Sequence, residues 1–279
     1  MPPEAARWLD GRVLGAHEPW PASDAPGVFE TLRCEGGALG FEREHLARLA
    51  HGARALGLDF PPPWDARAAL HALARTLGGE AHALRLTWQP PHLALAARVL
   101  GAPPAEPLAI LSDPGAVALP EPSGVKSVRR RAYDERRARA LAIGAFEVLV
   151  RTGDGALVEG TIGNLFVAVD GVLATPPLAS GALPGIVRAS VLTELERAPL
   201  RTPDGRAWRA LERRLTADDL ARAEELLLTN SLVRVLGVAR LADERGAVLG
   251  DALAGADGPL ARALEARVAA RERSQREPG

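Results

Sequence analysis

Residues 113–123 divide this chain into two regions that read differently. The stretch holds Pro114, Gly115, Pro120 and Pro122 and little charge. Proline lacks a backbone donor and has a fixed φ, so such a run extends neither a helix nor a central strand. It reads as an interdomain linker. The fold class expected is therefore α+β with two domains: residues 1–112 as a smaller N-terminal domain and 124–279 as a larger C-terminal one. A chain of 279 residues is long enough to give each a core.

Ahead of the stretch, a short segment turns at Asp10-Gly11. Residues 27–34 (GVFETLRC) read as a strand, with a hairpin partner at 38–41 across Gly36-Gly37. Residues 42–56 place Leu46, Leu49 and Leu56 at helical spacing and stop at Gly57, and residues 64–77 form a second amphipathic helix before Gly78-Gly79. Segments 83–88, 93–99 and Leu108–Leu111 look like further strands. This pattern predicts a mostly antiparallel sheet. Behind the stretch, helices are expected over 133–143, Ile186–Arg197 and 217–223, the last capped by Thr216. Strands are expected at 147–150, 165–169, 172–174 and 225–228, and residues 272–279 read as a polar, frayed end.

Charge and cysteine usage exclude several classes of function. A net charge of −1 gives no electrostatic case for nucleic acid or an anionic membrane. The arginine-rich run 129–139 reads as a solvated helix face. Cys34 is the single cysteine, so neither an internal disulfide nor a cysteine-based metal cluster is expected. No metal site is expected at all. No apolar run reaches membrane-spanning length and no signal peptide is recognised, so the cytoplasm is the default location.

Lys126 is the only lysine, since lysine and arginine together number 34 and arginine supplies the rest. A guanidinium replaces an ammonium for charge but stays protonated, and so offers no amine to attack a carbonyl. A lysine can be tuned downward until it forms a Schiff base. Compositional bias alone would also leave one lysine by accident, and the motifs around it decide the matter. Residues 157–166 (LVEGTIGNLF) set Glu159 in an apolar stretch at a strand end. There it could hold a pyridine nitrogen protonated, or serve as an ordinary strand-end carboxylate. Residues 181–188 (GALPGIVR) lead into a helix whose first amides could take a phosphate, although glycine-rich helix starts are common. Residues 226–238 deliver Thr229, Asn230 and Ser231 at the end of a buried strand, suited to an oxyanion or to capping the next helix.

Taken in order, FETLR, HLARL, a lone lysine, VEGTIGNLF, TPPLASGALPGIVR and LLTNSL resemble the class IV pyridoxal-phosphate enzymes. That family holds branched-chain aminotransferases, D-amino-acid aminotransferases and 4-amino-4-deoxychorismate lyases. The resemblance runs from about residue 27 to 238. It implies a fold-type-IV architecture with pyridoxal 5'-phosphate in the interdomain cleft, and a homodimer. Lys126 matches the Schiff-base lysine, followed by Tyr133 and Asp134 at the offset many members show. Glu159 matches the carboxylate on the pyridine nitrogen and Arg48 the arginine on the phosphate. The amides of Ile186 and Val187 and the hydroxyl of Ser231 match the rest of the phosphate cup. Asn230 matches a lyase-type substrate residue, and Thr31 a lyase threonine near the Schiff base, with a part in catalysis.

The resemblance is nearest to the lyases, which implies elimination of pyruvate to give 4-aminobenzoate for folate biosynthesis. A class IV aminotransferase is the alternative, and a non-catalytic binder of phosphate ligands a more distant one. The sequence departs from the family at Ala25-Pro26-Gly27, where Gly-Asp-Gly is usual. It departs again at residues 88–92 (WQPPH), which replace a glycine-rich substrate loop, and at Arg131, where some aminotransferases carry tyrosine.

Overall fold

The structure is a computed structural model that describes residues 6–15, 18–20, 24–60, 65–202, 205–249 and 253–275. It divides into two compact units. The first comprises Met1–Ala102, Val125–Arg129 and Glu272–Gly279, and the second Pro103–Gly124 and Arg130–Arg271.

The first unit is built on strands β1 (Ala6–Leu9), β2 (Arg12–Val13), β3 (Val28–Glu35) and β4 (Ala38–Leu39). Helices α1 (Glu42–Ala55) and α2 (Ala66–Ala74) follow, then β5 (His82–Gln89) and β6 (His92–Val99). The strands form one antiparallel sheet in the order β2-β1-β6-β5-β3-β4. Strand periodicity explains its faces. Val28, Leu32 and Cys34 alternate onto one side, where they meet Leu49, Leu70 and Leu73 from the helices. Leu84, Leu86, Leu93 and Leu95 are fully buried in the same core. Cutting any one of them back to alanine costs about 2–5 kcal/mol. Helix α2 begins at Asp65, whose carboxylate accepts from the Ala68 amide at 3.0 Å. The expected start at Trp64 lies outside the described residues.

The second unit opens with β7 (Leu108–Leu111), α3 (Arg131–Ala142), β8 (Glu147–Arg151), β9 (Leu157–Gly160), β10 (Asn164–Val169) and β11 (Val172–Thr175). It continues with α4 (Ile186–Arg197), β12 (Leu200–Arg201), β13 (Ala207–Trp208), β14 (Ala210–Glu212) and α5 (Ala217–Ala221). It closes with β15 (Glu225–Asn230), β16 (Arg234–Gly237), β17 (Arg240–Asp243) and α6 (Pro259–Ser274). A four-stranded sheet runs β17-β7-β8-β9 and a five-stranded one β14-β11-β10-β15-β16, with β12 and β13 pairing apart. Strand β10 (NLFVAV) is buried at every position and lies between β11 and β15. That is the continuous apolar run of a strand covered on both faces. Helix α6 starts under a long-range cap, because Glu225 accepts from the Leu260 amide at 2.9 Å and the Ala261 amide at 3.1 Å.

Four expectations are corrected here. Leu108–Leu111 belongs to the second unit, because it pairs in parallel with both β8 and β17. The proline-rich run 113–123 is also part of that unit rather than a linker. Val117 within it is buried against Tyr133 and Val150. Residues Val125–Arg129 return to the first unit, where Ser127 bridges Val28 and the Phe29 and Val128 amides bond to Lys126 and Gly27 at 3.0 Å each. Nor is the run 129–139 simply a solvated face. Arg136 bonds Glu244 and the Ala116 carbonyl, and Arg137 bonds the Phe146 carbonyl. Finally, helix α6 continues to Ser274 with Glu272 buried, so residues 272–274 are helical rather than frayed, and 276–279 lie outside the described residues. Among the described residues no helix is long and apolar enough to cross a membrane.

Candidate active site

In the first unit the reactive groups gather around the start of β3. Pairing with that strand fixes Lys126, and its Nζ lies 4.7 Å from the centroid of the Phe29 ring. Arg85, from β5, sets its Cζ 3.8 Å from the same centroid. Thr31 follows Phe29 by two positions, so it shares that face of the sheet, half-buried. Lys126 and Thr31, which the lyase resemblance made catalytic, thus lie on the Phe29 side of β3.

Glu30 points the other way, with Val28 and Leu32, and is fully buried. Arg48 of α1 donates to it through Nε and Nη2 at 2.7 Å each, a bidentate fork. His45, one helical turn earlier, places Nδ1 2.7 Å from the same carboxylate. Burial alone would push Glu30 up, but the charge and hydrogen bonds of Arg48, with His45, hold it down at about 2. Burial pushes His45 below its ordinary value, and Arg48 and Lys126 push the same way against Glu30. The imidazole is therefore neutral and donates from Nδ1. Its buried Nε2 finds no hydrogen-bond partner among the described residues.

In the second unit, buried Glu159 ends β9. Its Oε2 accepts from the Leu183 amide at 2.9 Å and from Asn164 Nδ2 at 3.3 Å, and its Oε1 accepts from the Tyr133 hydroxyl at 3.2 Å. Asn164 also donates to the Leu183 carbonyl at 2.9 Å. It therefore ties Glu159 to the segment that leads into α4. At Gly185 an added Cβ would lie 1.8 Å from Asn164 Oδ1, so only glycine fits before that helix. No side-chain hydrogen bond caps α4, the helix that opens with Ile186 and Val187. Thr229 pairs with Asn164 across β10 and β15, which brings Thr229, Asn230 and Ser231 to the same end of the sheet. Asn230 Oδ1 accepts from the Leu232 and Val233 amides at 2.9 and 3.0 Å, so it caps a turn into strand β16 rather than a helix.

A second buried carboxylate lies behind the Glu159 turn. Glu147 accepts from the Thr161 hydroxyl at 2.5 Å and from the Val148 and Ile162 amides at 2.9 and 3.1 Å. Burial raises it above the ordinary carboxylate range, and these hydrogen bonds and Arg137 only partly oppose that. A Cβ on Gly160 would meet it at 2.5 Å. Arg130 closes the turn from the other side by donating to the Thr161 carbonyl.

Within the first unit the structure places Lys126 beside Phe29, Thr31 on the same face of β3 and Arg48 on Glu30 of the opposite face; the second unit holds Glu159, Ile186, Val187, Asn230 and Ser231. Sequence reasoning gave no role to Glu30, His45, Glu147 or Asn164. Two signals were present. Glu30 occupies a buried-phase position of an alternating strand, where a charge demands a partner. His45 and Arg48 stand three apart on one helix face.

Residues 27–241 match the family described as amino-transferase class IV. A putative branched-chain-amino-acid aminotransferase of Methanocaldococcus jannaschii is 28% identical over 234 residues, 76% of this chain and 77% of that one. A D-alanine aminotransferase of Bacillus licheniformis is 32% identical over 128 residues, 46% of this chain and 40% of the other. The fold matches that of a putative branched-chain amino acid aminotransferase from Thermotoga maritima, with a TM-score of 0.76, 21% identity and 94% of each chain covered. It also matches a PLP-bound hypothetical aminotransferase from Mycobacterium tuberculosis, with a TM-score of 0.75, 23% identity and coverage of 98% and 100%. The chain therefore belongs to the class IV aminotransferase family, and its cofactor is pyridoxal 5'-phosphate.

Proposed function

We propose that this chain is an aminotransferase acting on a small amino acid, with Lys126 and Glu159 as the principal residues. The observation that carries the reading is Glu159, a buried carboxylate oriented by a phenol, an amide and a backbone N–H beside an uncapped helix start. The donor set fits the cofactor. An aldehyde needs an amine, a pyridine nitrogen needs a fixed carboxylate, and a phosphate needs amides and a guanidinium. Bound pyridoxal 5'-phosphate supplies an electron sink for the charge left when a proton departs from the amine-bearing carbon.

The chain's own residues do the rest. Lys126 binds the cofactor covalently through its amine and later moves the proton at the substrate's amine-bearing carbon. Glu159 keeps a proton on the ring nitrogen. Ile186 and Val187 amides, the Ser231 hydroxyl and Arg48 hold the phosphate, with Glu30 fixing the plane of the Arg48 fork. Thr31 stands on the Lys126 side of β3, where its hydroxyl can hand on a proton. Asn230 contacts substrate, and that contact falls to its amide nitrogen because its oxygen is engaged by the turn.

Amino transfer is favoured over pyruvate elimination because the curated relatives are named aminotransferases. The test mixes purified protein with single amino acids and 2-oxoglutarate. Glutamate is the expected product. Formation of 4-aminobenzoate from aminodeoxychorismate with no acceptor present would overturn amino transfer in favour of the lyase. We also propose a cytoplasmic homodimer, which sedimentation of the purified protein tests.

A further inference from the structure

Glu159 accepts from donors on three different elements: Tyr133 from the first turn of α3, Asn164 from β10, and Leu183 from the segment before α4. Two of them serve Oε2. Tyr133 reaches Oε1, and it is the only tyrosine in the chain. Its ring is buried, packed with Val117 and Val150, and the Arg130 guanidinium lies 5.4 Å from its centroid.

A buried phenol needs an acceptor for its own sake, so one bond to a carboxylate proves little. Here two further observations give the bond a direction and a purpose. Arg130 also closes the turn that follows Glu159, by bonding the Thr161 carbonyl, so one arginine braces both the phenol and the carboxylate's own loop. And the charged groups facing the phenol are Glu159, Arg130 and Glu147. Burial first, then the charge of Glu159, push phenol ionisation far above its ordinary range, against Arg130. Tyr133 therefore holds its proton tightly and donates it to Glu159 Oε1.

We propose that Tyr133 is a positioning residue for Glu159. Its hydroxyl fixes Oε1 and favours the anionic carboxylate, so that the proton shared with the cofactor's ring nitrogen stays on the ring. The proposal rests on the Glu159 reading above. Oε2 is already held by Asn164 and Leu183, so Tyr133 sets the rotation of the carboxylate about its last bond. Donation from the phenol lowers the proton affinity of the carboxylate, so Glu159 competes less for the ring proton while the bond is intact.

Tyr133→Phe keeps the ring and removes the donor. The expected result is a fall in kcat on the order of tenfold to a hundredfold, the scale of a hydrogen bond to a charged group. KM and cofactor affinity should stay within about threefold, as expected when only the transition state loses stabilisation. The absorption of bound cofactor should become pH-dependent on the acid side, as Glu159 begins to compete for the proton. In a Glu159→Gln background the same change should add almost nothing. If Tyr133→Phe costs as much there as in the wild type, Tyr133 acts elsewhere and the proposal is wrong. If Glu159→Gln itself leaves turnover within a few-fold, the reading of Glu159 fails instead.

A cofactor-free measurement completes the test. Tyrosine isotope-labelled at its ring Cζ gives one resonance, and in the apo-protein Glu159→Gln should shift it. An unmoved resonance would also overturn the proposal.

Discussion

In the first unit, Glu30 is buried against the full positive charge of Arg48 and sits near 2. In the second unit, Glu147 and Glu225 are buried against hydroxyl and backbone N–H donors, with the nearest arginine at Glu147 3.9 Å away, and both lie above the ordinary carboxylate range. Each of these carboxylates accepts hydrogen bonds. What differs is whether the partner carries charge. Neutral dipoles orient a buried carboxylate without fully repaying its desolvation, whereas a bidentate guanidinium repays it and leaves an anion. At these three carboxylates, therefore, the first unit uses charge and the second uses dipoles.

The largest expected effect separates charge from chemistry within the first unit. Lys126→Arg keeps the positive charge beside Phe29 yet offers no amine. Turnover should fall by several orders of magnitude, and borohydride should trap no cofactor on the chain. Retained turnover would mean that this part of the first unit uses its cation only as a charge. Next come the isosteric amides. Glu30→Gln strands Arg48 in a buried site and should cost about 3–5 kcal/mol of stability in denaturant melts. Glu147→Gln removes no charged pair of comparable closeness, and should cost only about 1 kcal/mol. Equal losses would erase the distinction between the units.

The smallest effect lies in the pH dependence of stability. Glu30 and His45 both titrate below their ordinary values of 4.5 and 6.5, so the unfolded chain binds more protons than the folded one. Their contribution is present above those values. It declines as pH falls below 6.5 for His45, and from 4.5 towards 2 for Glu30. Glu147 and Glu225 are raised above 4.5, so their contribution has the opposite sign. It is complete below 4.5 and is lost as pH rises through their folded values. Thermal melts across this range should show Glu30→Gln flattening the acid decline and Glu147→Gln steepening it.

The first-unit strands and Ile186–Arg197 were legible in the sequence because local periodicity determines them. Strand β6 alternates, and α4 begins at the Pro184-Gly185 punctuation. Lys126 stood out through its rarity and Glu159 through its motif, and the burial of Glu159 at the end of β9 was legible in its apolar flanks. The unit boundaries were not. A proline-rich run looks the same whether it links domains or packs inside one, and the pairing of β7 with β8 and β17 joins residues far apart in sequence. The bond from Tyr133 to Glu159 is invisible for the same reason, since it spans 26 positions and two element types. The Glu30–Arg48 fork could have been anticipated from a charged residue in the buried phase of its strand.

The discontinuity of the first unit bears on how the chain comes together during synthesis. Glu272 is buried there, with its carboxylate lying where a Cβ on Gly40 would sit, and Gln275 bonds Glu44 across 231 positions. The early strands can collapse on their own helices within the first hundred or so residues to leave the ribosome. They close completely only when a segment more than two hundred residues downstream arrives. Contacts of such long sequence separation form late. Until then the space beside Gly40 that Glu272 fills in the folded protein stays unfilled.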